Sequence, residues 1–145
     1  MTEVKMSKTA RIRDLMSPNI VFCNENDSIP DIAQKMMDNW VDTMFVTEDS
    51  GKVIGIITDG IIWQLVAKAD ENIYRYKAKD IMVRKIIAID ADKPFNSIEE
   101  LRDEFEKSPV KRIAVVSDGK IIGLIRRKLI ERVKRYSRTF DIEFS

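Results

Sequence analysis

The residue types that most often perform catalysis are scarce in this chain. It has no histidine and a single cysteine, Cys23. Relays of the Ser-His-Asp or Cys-His kind need an imidazole that is half-ionised near neutral pH, so the sequence excludes them, and it excludes Cys/His zinc sites as well. A carboxylate-only metal site or a lysine nucleophile stays open, but no phosphate loop or dinucleotide fingerprint is present. We therefore expect no enzyme, no required cofactor or metal, and a Cys23 that packs as a small apolar residue.

Cations are concentrated where a predicted strand meets a predicted helix. Arg126, Arg127 and Lys128 stand at this junction, and Lys111 and Arg112 open the preceding strand. A helix N-terminus favours anions, so cations there oppose the helix dipole unless an anion lies among them. The cluster is the best candidate for contact with a phosphate or another anion. A solvated run of charge explains it about equally well.

Residues 126–138 predict a basic amphipathic helix with one acid, Glu131. Its basic residues are Arg126, Arg127, Lys128, Arg132, Lys134, Arg135 and Arg138, and its apolar face is Leu129, Ile130 and Val133. Such a helix can contact nucleic acid, an acidic partner or a membrane surface. We favour a structural role, in which the apolar face packs in a dimer and the charges meet acids such as those between 99 and 106.

The composition is that of a globular protein. The chain has 145 residues, of which 44% are apolar and 34% charged, and its formal net charge is +1. Overall charge therefore argues for neither nucleic acid nor a membrane as partner. No apolar run approaches the ~20 residues that cross a bilayer, and the first eight residues lack the apolar stretch of a signal peptide. We expect a soluble, cytoplasmic protein.

The same pattern occurs twice along the chain. Gly51 to Ile57 (GKVIGII) recurs as Gly119 to Ile125 (GKIIGLI), and Arg13 to Met16 (RDLM) recurs as Lys79 to Met82 (KDIM). The two pairs keep their order with nearly the same offset, which indicates a tandem duplication.

Each copy predicts the order strand, helix, strand, strand, helix. Apolar runs indicate the strands, Ser-x-x-acid patterns at Ser28 and Ser97 indicate helix starts, and the turn at Asp118-Gly119 indicates a hairpin. The predicted strands are 19–22, 43–47 and 52–58 in the first copy and 86–89, 111–116 and 120–126 in the second, with closing helices over about 59–69 and 127–136.

Helical spacing also predicts core positions. They are Ile29, Ala33, Met36 and Met37 in the first copy, and Ile98, Leu101 and Phe105 in the second. Trp40 and Trp63 could stack on a purine, but buried packing or a dimer contact is the stronger interpretation for both.

We place the first copy at 9–70, a polar linker at 71–77, the second copy at 78–137 and a tail at 138–145. A unit of ~60 residues is marginal alone because it buries too little of its surface. We therefore expect the copies to pack together, with a cleft at the seam.

The Asp-hydrophobic-Met lead, the element order and the Gly-hydrophobic-hydrophobic strand end together resemble the CBS domain, and two in tandem resemble a Bateman module. The resemblance covers about 11–136. It implies an α/β (α+β) fold of two β-α-β-β-α units packed as a pseudo-twofold pair. It also implies clefts that commonly bind AMP, ADP, ATP or S-adenosylmethionine, a homodimer through helices of both repeats, and regulation of a separate, unidentified protein.

The ligand motif departs from the pattern that this family shows where it holds a ribose, Gly-hydrophobic-hydrophobic-Thr/Ser-x-x-Asp. The first copy has Thr58, but Ile61 stands where the Asp is expected; the second has Arg126 and Leu129 at these positions. Losing a charge-assisted hydrogen bond costs roughly 1.5–3 kcal/mol, or one to two decades of affinity. Asp59 is the closest substitute for the ribose acceptor; the alternative is that it caps the helix that starts there.

The ligand-binding residues that we expect are Ile20, Val21, Thr43, Met44, Phe45, Thr58, Asp59, Ile87, Lys111, Arg112, Arg126, Arg127 and Lys128. Three functions follow. The first is a sensor of an adenosine-containing ligand that acts on a partner protein. The second is a structural or interaction module that has lost its ligand. The third is an accessory nucleic-acid-binding protein that uses the 126–138 helix.

Overall fold

Two three-stranded sheets organise the chain, and each belongs to its own α/β unit. The computed structural model describes residues 10–127. Within them, the first unit is 18–86, and the second unit combines 10–17 with 87–127. The mixed α+β fold class is confirmed.

The first unit carries the sheet β1-β2-β3. Its elements are β1 (Phe22–Asn24), α1 (Ile29–Asn39), β2 (Thr43–Thr47), β3 (Val53–Thr58), α2 (Asp59–Ala67) and the single turn α3 (Ala78–Ile81). Strands β1 and β2 are parallel, with α1 as the crossover, and β2 and β3 form an antiparallel hairpin.

The second unit repeats this topology with the sheet β4-β5-β6. Its elements are a 3-10 turn (Ile12–Asp14), β4 (Ile87–Asp90), a second 3-10 turn (Ile98–Leu101), α4 (Arg102–Lys107), β5 (Arg112–Ser117) and β6 (Lys120–Arg126). Strands β4 and β5 are parallel, and β5 and β6 are antiparallel.

Three sequence predictions of element bounds need correction. Strand β1 begins at Phe22 rather than residue 19, because only the end of the apolar run pairs with β2. The helix predicted from Ser97 is split, since a 3-10 turn precedes the short α4. Arg126 ends β6, as the predicted strand 120–126 has it, so the basic helix predicted over 126–138 does not include Arg126. The rest of the predicted 126–138 helix, from Lys128, and the tail lie outside the described residues.

Each unit has its own apolar core. The first contains Cys23, Ile29, Ile32, Met36, Met44, Val46, Ile57 and Ala78; the second contains Ile12, Ile89, Ala91, Leu101, Phe105, Ile113, Val115 and Ile125. The core predictions for Ile29, Met36, Leu101 and Phe105 are confirmed. The prediction for Met37 is wrong: the inward stripe of α1 runs through Ile32 instead, and Met37 is 67% exposed.

The two Asp-hydrophobic-Met segments, 14–16 and 80–82, which we call the leads, each lie next to the sheet of the other sequence copy. Ser17, directly after the first lead, pairs with Leu124 of β6 through hydrogen bonds of 2.8 and 3.0 Å. Val83, directly after the second lead, pairs with Ile56 of β3 through two bonds of 2.9 Å. Each lead therefore completes the sheet that belongs to the other copy.

No helix in the span 10–127 is long and apolar enough to cross a membrane.

Candidate functional site

The corner where the hairpin of the first unit meets α2 contains acids and hydroxyls. Thr43 opens β2 and pairs with Thr58 at the end of β3. The backbone N–H of Asp59 donates to the carbonyl of Asp42 at 2.9 Å, which ties the start of α2 to the residue before β2. We call Asp42, Thr43, Thr58 and Asp59 the first corner.

Hydrogen bonds define what each side chain of the first corner does. Thr43 and Thr58 are both buried. The hydroxyl of Thr43 donates to the Asp42 carboxylate at 2.8 Å, and that of Thr58 accepts from the backbone N–H of Ile61 at 3.4 Å. Thr58 is therefore the N-cap of α2. Asp59 is the first helical residue rather than the cap, and it is only partly exposed.

The equivalent corner of the second unit contains four cations. Arg112 opens β5 and pairs with Arg126 at the end of β6, as Thr43 pairs with Thr58. The backbone N–H of Arg127 donates to the carbonyl of Lys111 at 3.2 Å, as Asp59 does to Asp42. The structure thus brings together Lys111, Arg112, Arg126 and Arg127, which we call the second corner. Lys128, the remaining predicted member, lies outside the described residues.

Ser108 holds the second corner in shape, and the sequence analysis missed it. Its hydroxyl donates to the carbonyl of Arg112 at 2.8 Å and accepts from the N–H of the same residue at 3.1 Å. It is buried, and the left-handed turn at Lys111 (φ 55°) follows it. The guanidinium of Arg112 donates to the carbonyl of Val110 at 2.8 Å. The available signal in the sequence was a serine four residues before the cationic start of β5 at Arg112.

The register of β5 and β6 concentrates positive charge. Arg112 and Arg126 lie directly opposite each other on neighbouring strands. An anion placed among Arg112, Arg126 and Arg127 would accept charge-assisted hydrogen bonds. This arrangement is suited to binding a phosphate or carboxylate group.

The other predicted site residues lie on the strands of the two sheets or just before them. In the first unit Val21 accepts a hydrogen bond from the N–H of Phe45 at 3.0 Å, with Ile20 beside it. Met44 and Phe45 are buried in β2, and the Phe45 ring lies 6.1 Å from that of Phe22. Ile87 opens β4 and pairs with Ile113.

Cys23 has the properties of a core residue. It is buried, and that burial, followed by the negative charge of Asp27, raises the pKa of its thiol to about 11. Little thiolate, the nucleophilic form, exists at neutral pH at such a pKa. Among residues 10–127, no group of three or more acids and cysteines is placed to hold a metal ion.

A model of the CBS domain family matches residues 12–62 and 78–134. Among curated proteins, L-aspartate semialdehyde sulfurtransferase of Methanosarcina acetivorans is 24% identical over 127 residues, which cover 86% of this chain and 24% of that protein. The chain therefore spans about a quarter of the length of this relative.

Solved structures show the same fold. An uncharacterised conserved protein from Pyrococcus horikoshii has a TM-score of 0.71 and 24% identity, with 95% of this chain and 98% of that chain covered. The CBS domain pair of protein MJ0100, in complex with 5′-methylthioadenosine and S-adenosylmethionine, has a TM-score of 0.70 and 21% identity, with 90% and 99% covered.

Proposed function

The chain belongs to the CBS domain family, and we propose that it is a regulatory module that binds an adenosine-containing ligand and acts on a separate protein. The ligand classes are those of the sequence prediction, AMP, ADP, ATP or S-adenosylmethionine. The MJ0100 pair, with the same fold, is bound to S-adenosylmethionine and 5′-methylthioadenosine, which supports an adenosine compound.

The second corner is the observation that carries this proposal. Its four cations occupy positions that are acids and hydroxyls in the first corner, so the general fold does not require them. Each charge-assisted hydrogen bond to a phosphate contributes roughly 1.5–3 kcal/mol. The charge favours the phosphorylated ligands, AMP, ADP and ATP, over S-adenosylmethionine, whose sulfonium is cationic.

The first corner has a different chemistry. Carboxylate and hydroxyl oxygens accept hydrogen bonds from the hydroxyls of a sugar. In this proposal Asp59 and Thr58 accept these hydrogen bonds. The family pattern has an acid at the position of Ile61, and Asp59 takes the place of that acid. The two corners are thus inequivalent, one suited to an anion and the other to a hydroxyl donor.

Calorimetric titration with AMP, ADP, ATP and S-adenosylmethionine tests the proposal. We expect heat with at least one phosphorylated ligand, and affinity that falls as salt increases. Arg127→Gln should weaken binding by about 10–100-fold, as expected for one lost charge-assisted bond. Lys120→Gln is the matched control, because Lys120 lies at the far end of the same strand and pairs with Ser117.

Two results would contradict the proposal. No heat with any of the four compounds at millimolar concentration would favour a structural module without a ligand. Equal weakening by Arg127→Gln and Lys120→Gln would show that overall charge, rather than the second corner, attracts the ligand.

Several further features belong to the proposal. Action on a separate, unidentified protein is part of this proposal. The cytoplasmic location and the homodimer through helices of both repeats stay predictions. The nucleic-acid alternative depends on the 126–138 helix, which lies beyond the described residues apart from Arg126 and Arg127.

A further inference from the structure

The turn between α4 and β5 joins the second corner to the end of a helix. It comprises residues 108–111, and its last residue, Lys111, is also a member of the second corner. The ammonium nitrogen of Lys111 lies 3.4 Å from the carbonyl oxygen of Phe105 and 4.0 Å from a carboxylate oxygen of Glu106, both in α4. The charge of Lys111 is thus placed at the end of α4.

Pro109 explains why a cation lies at this helix end. The carbonyl of a helical residue accepts a hydrogen bond from the N–H four positions later. Four positions after Phe105 stands Pro109, which has no N–H to donate. The N–H of Ser108 donates to the Phe105 carbonyl at 3.1 Å in a tighter turn. Lys111 supplies a further donor, and a cation near the C-terminal end of a helix also interacts favourably with the helix dipole.

The first unit ends the equivalent helix with its backbone alone. Counting back from the equivalent corner residues, Met36 corresponds to Phe105, and the Met36 carbonyl accepts hydrogen bonds from the N–H groups of Trp40 and Val41. Pro109 stands where Trp40 has this N–H. The fold of a unit therefore does not require a cation at this helix end.

The backbone of Lys111 adds an independent observation. It is left-handed, with φ 55°, a region that favours glycine, whereas Asp42, its counterpart in the first unit, is not left-handed. The Ser108 hydroxyl holds the turn by bonding both the N–H and the carbonyl of Arg112. A lysine at this position costs conformational energy that a glycine would avoid, which indicates a role for its side chain.

We propose that Lys111 is shared between α4 and the second corner, and that an anion bound in the corner draws its ammonium group off the end of α4. This inference rests on the proposed function, because it needs an anion in the second corner. It adds the route by which binding reaches another element of the chain. The groups that lose the cation are the Phe105 carbonyl and the Glu106 carboxylate, so the end of α4 becomes less stable and more acidic.

The relative strengths of the contacts give the direction of this exchange. An exposed ion pair, or a cation at a helix end, changes an equilibrium constant by about two- to five-fold. A charge-assisted hydrogen bond to a phosphate changes one by about 10–100-fold. The Lys111 side chain is 39% exposed and has a flexible four-carbon stem, so its ammonium group moves without a change of fold. The anion is therefore the stronger partner.

This exchange would make α4 a surface that reports on the ligand. Arg102, Asp103, Glu106 and Lys107 are exposed on this helix. When Glu106 loses its cation, the charge of this surface changes, and so does the stability of the helix end. A protein that contacts α4 would then bind the two states with different affinities, which is what regulation by a ligand requires.

Inorganic pyrophosphate is the probe, because it carries phosphate charge without a nucleoside. In calorimetric titrations at constant ionic strength, Glu106→Gln should bind it about two- to five-fold more tightly than the unmodified chain, since Lys111 then has one competing partner fewer. Glu104→Gln is the matched control. It removes the same charge from the same helix, but Glu104 pairs with Lys107, at 3.4 Å, so the affinity should stay close to that of the unmodified chain.

Amide hydrogen exchange, followed by nuclear magnetic resonance, measures the effect on α4. Saturating pyrophosphate should slow exchange in β5 and β6. It should speed up exchange in the last turn of α4, up to Ser108, by about two- to five-fold, because the helix end loses its cation. In Lys111→Gln the amides of α4 should exchange fast with or without pyrophosphate, and pyrophosphate should bind about 10-fold more weakly.

Three results would overturn the inference. Absence of pyrophosphate binding would mean that the second corner holds no anion. Equal affinities in Glu106→Gln and Glu104→Gln would show that α4 does not compete for Lys111. Slower exchange in α4 together with β5 and β6 would show that the cation stays on the helix when the anion binds.

The same experiments separate this inference from the proposed function. Nucleotide binding that Arg127→Gln weakens, with no response of α4, would leave the proposed function standing without the exchange of Lys111. Pyrophosphate binding with the expected response of α4, but with no tighter binding of any adenine nucleotide, would remove the adenosine part of the proposed function and leave the exchange standing.

Discussion

Two glycines let the exchanged leads approach their sheets. A β-carbon on Gly55 would lie 2.8 Å from Cγ and 3.0 Å from Cβ of Met82, and one on Gly123 would lie 2.7 and 2.9 Å from the same atoms of Met16. The contacted atoms include Cβ and Cγ, which lie close to the backbone, so a methionine cannot relieve the overlap by rotating only the end of its side chain. These glycines are therefore required by close packing, whereas the glycine at residue 119 serves a turn with positive φ.

Gly55→Ala should destabilise the protein by about 1–3 kcal/mol, because the added methyl group would overlap with the packed side chain of Met82. Urea unfolding followed by circular dichroism measures the change. Gly60→Ala is the control, since its β-carbon would meet only Thr58 Oγ1, at 3.6 Å. It should be neutral or stabilising by up to about 1 kcal/mol, because alanine is the better helix former. Equal losses in the two variants would contradict the packing argument.

At the scale of elements, helix N-caps fix the starts of α1 and α2, and the start of α2 positions the first corner. The Ser28 hydroxyl accepts from the N–H of Asp31 at 3.2 Å and starts α1, while Thr58 starts α2. Short polar side chains at these positions satisfy N–H groups that have no partner within the helix. The Ser-x-x-acid pattern therefore located the first helix correctly. The same pattern predicted the start of the helix after Ser97 less well, because Ser97 caps a 3-10 turn by accepting a hydrogen bond from the N–H of Glu99.

Ser28→Ala should lower the free energy of unfolding by about 1 kcal/mol, the usual contribution of a helix N-cap. The same urea titration detects it. Ser50→Ala is a suitable control, because Ser50 is exposed in the β2–β3 turn and accepts only a 3.4 Å bond from Lys52. A loss at Ser50 as large as that at Ser28 would mean that the cap does not account for the effect.

At the scale of the whole molecule, the sequence repeat and the folded unit are different divisions of the chain. The core of the first unit includes Ala78, with Ile81 and Met82 packed against it, although all three lie in the second sequence copy. Ile73 and Tyr76, from the predicted linker, pack against the same core. The linker is thus partly structural, and each sheet depends on residues from beyond its own copy.

A pair of fragments of equal length tests this exchange. Residues 18–86 retain the lead that packs on β3, so they should unfold cooperatively in urea. Residues 9–77 follow the sequence copy and lose Ala78 to Met82, so they should lack a cooperative transition, since a unit this small has little stability to spare. Far-ultraviolet circular dichroism distinguishes the two. A fragment 9–77 that folds as well as 18–86 would show that the exchange is dispensable.

The sequence by itself determined the duplication, the element order, the hairpins and most of the core. These depend on local patterns such as GKVIGII and its copy GKIIGLI, in which turn residues and buried strands are adjacent along the chain. It also identified Lys111, Arg112, Arg126 and Arg127 as a cationic group. The absence of histidine excluded the common catalytic relays without any structure.

Only the tertiary structure decided how distant residues meet. Strand register placed Arg112 opposite Arg126 and Thr43 opposite Thr58, and a shift of one residue would have turned these side chains to the other face. The exchange of the leads and the support from Ser108 depend on contacts remote in sequence. Trp40 and Trp63 were predicted to be buried or to lie in a dimer contact. The prediction of burial is wrong, because both side chains are exposed. Helical spacing identifies an apolar face of a helix, but it does not show whether the same chain covers that face.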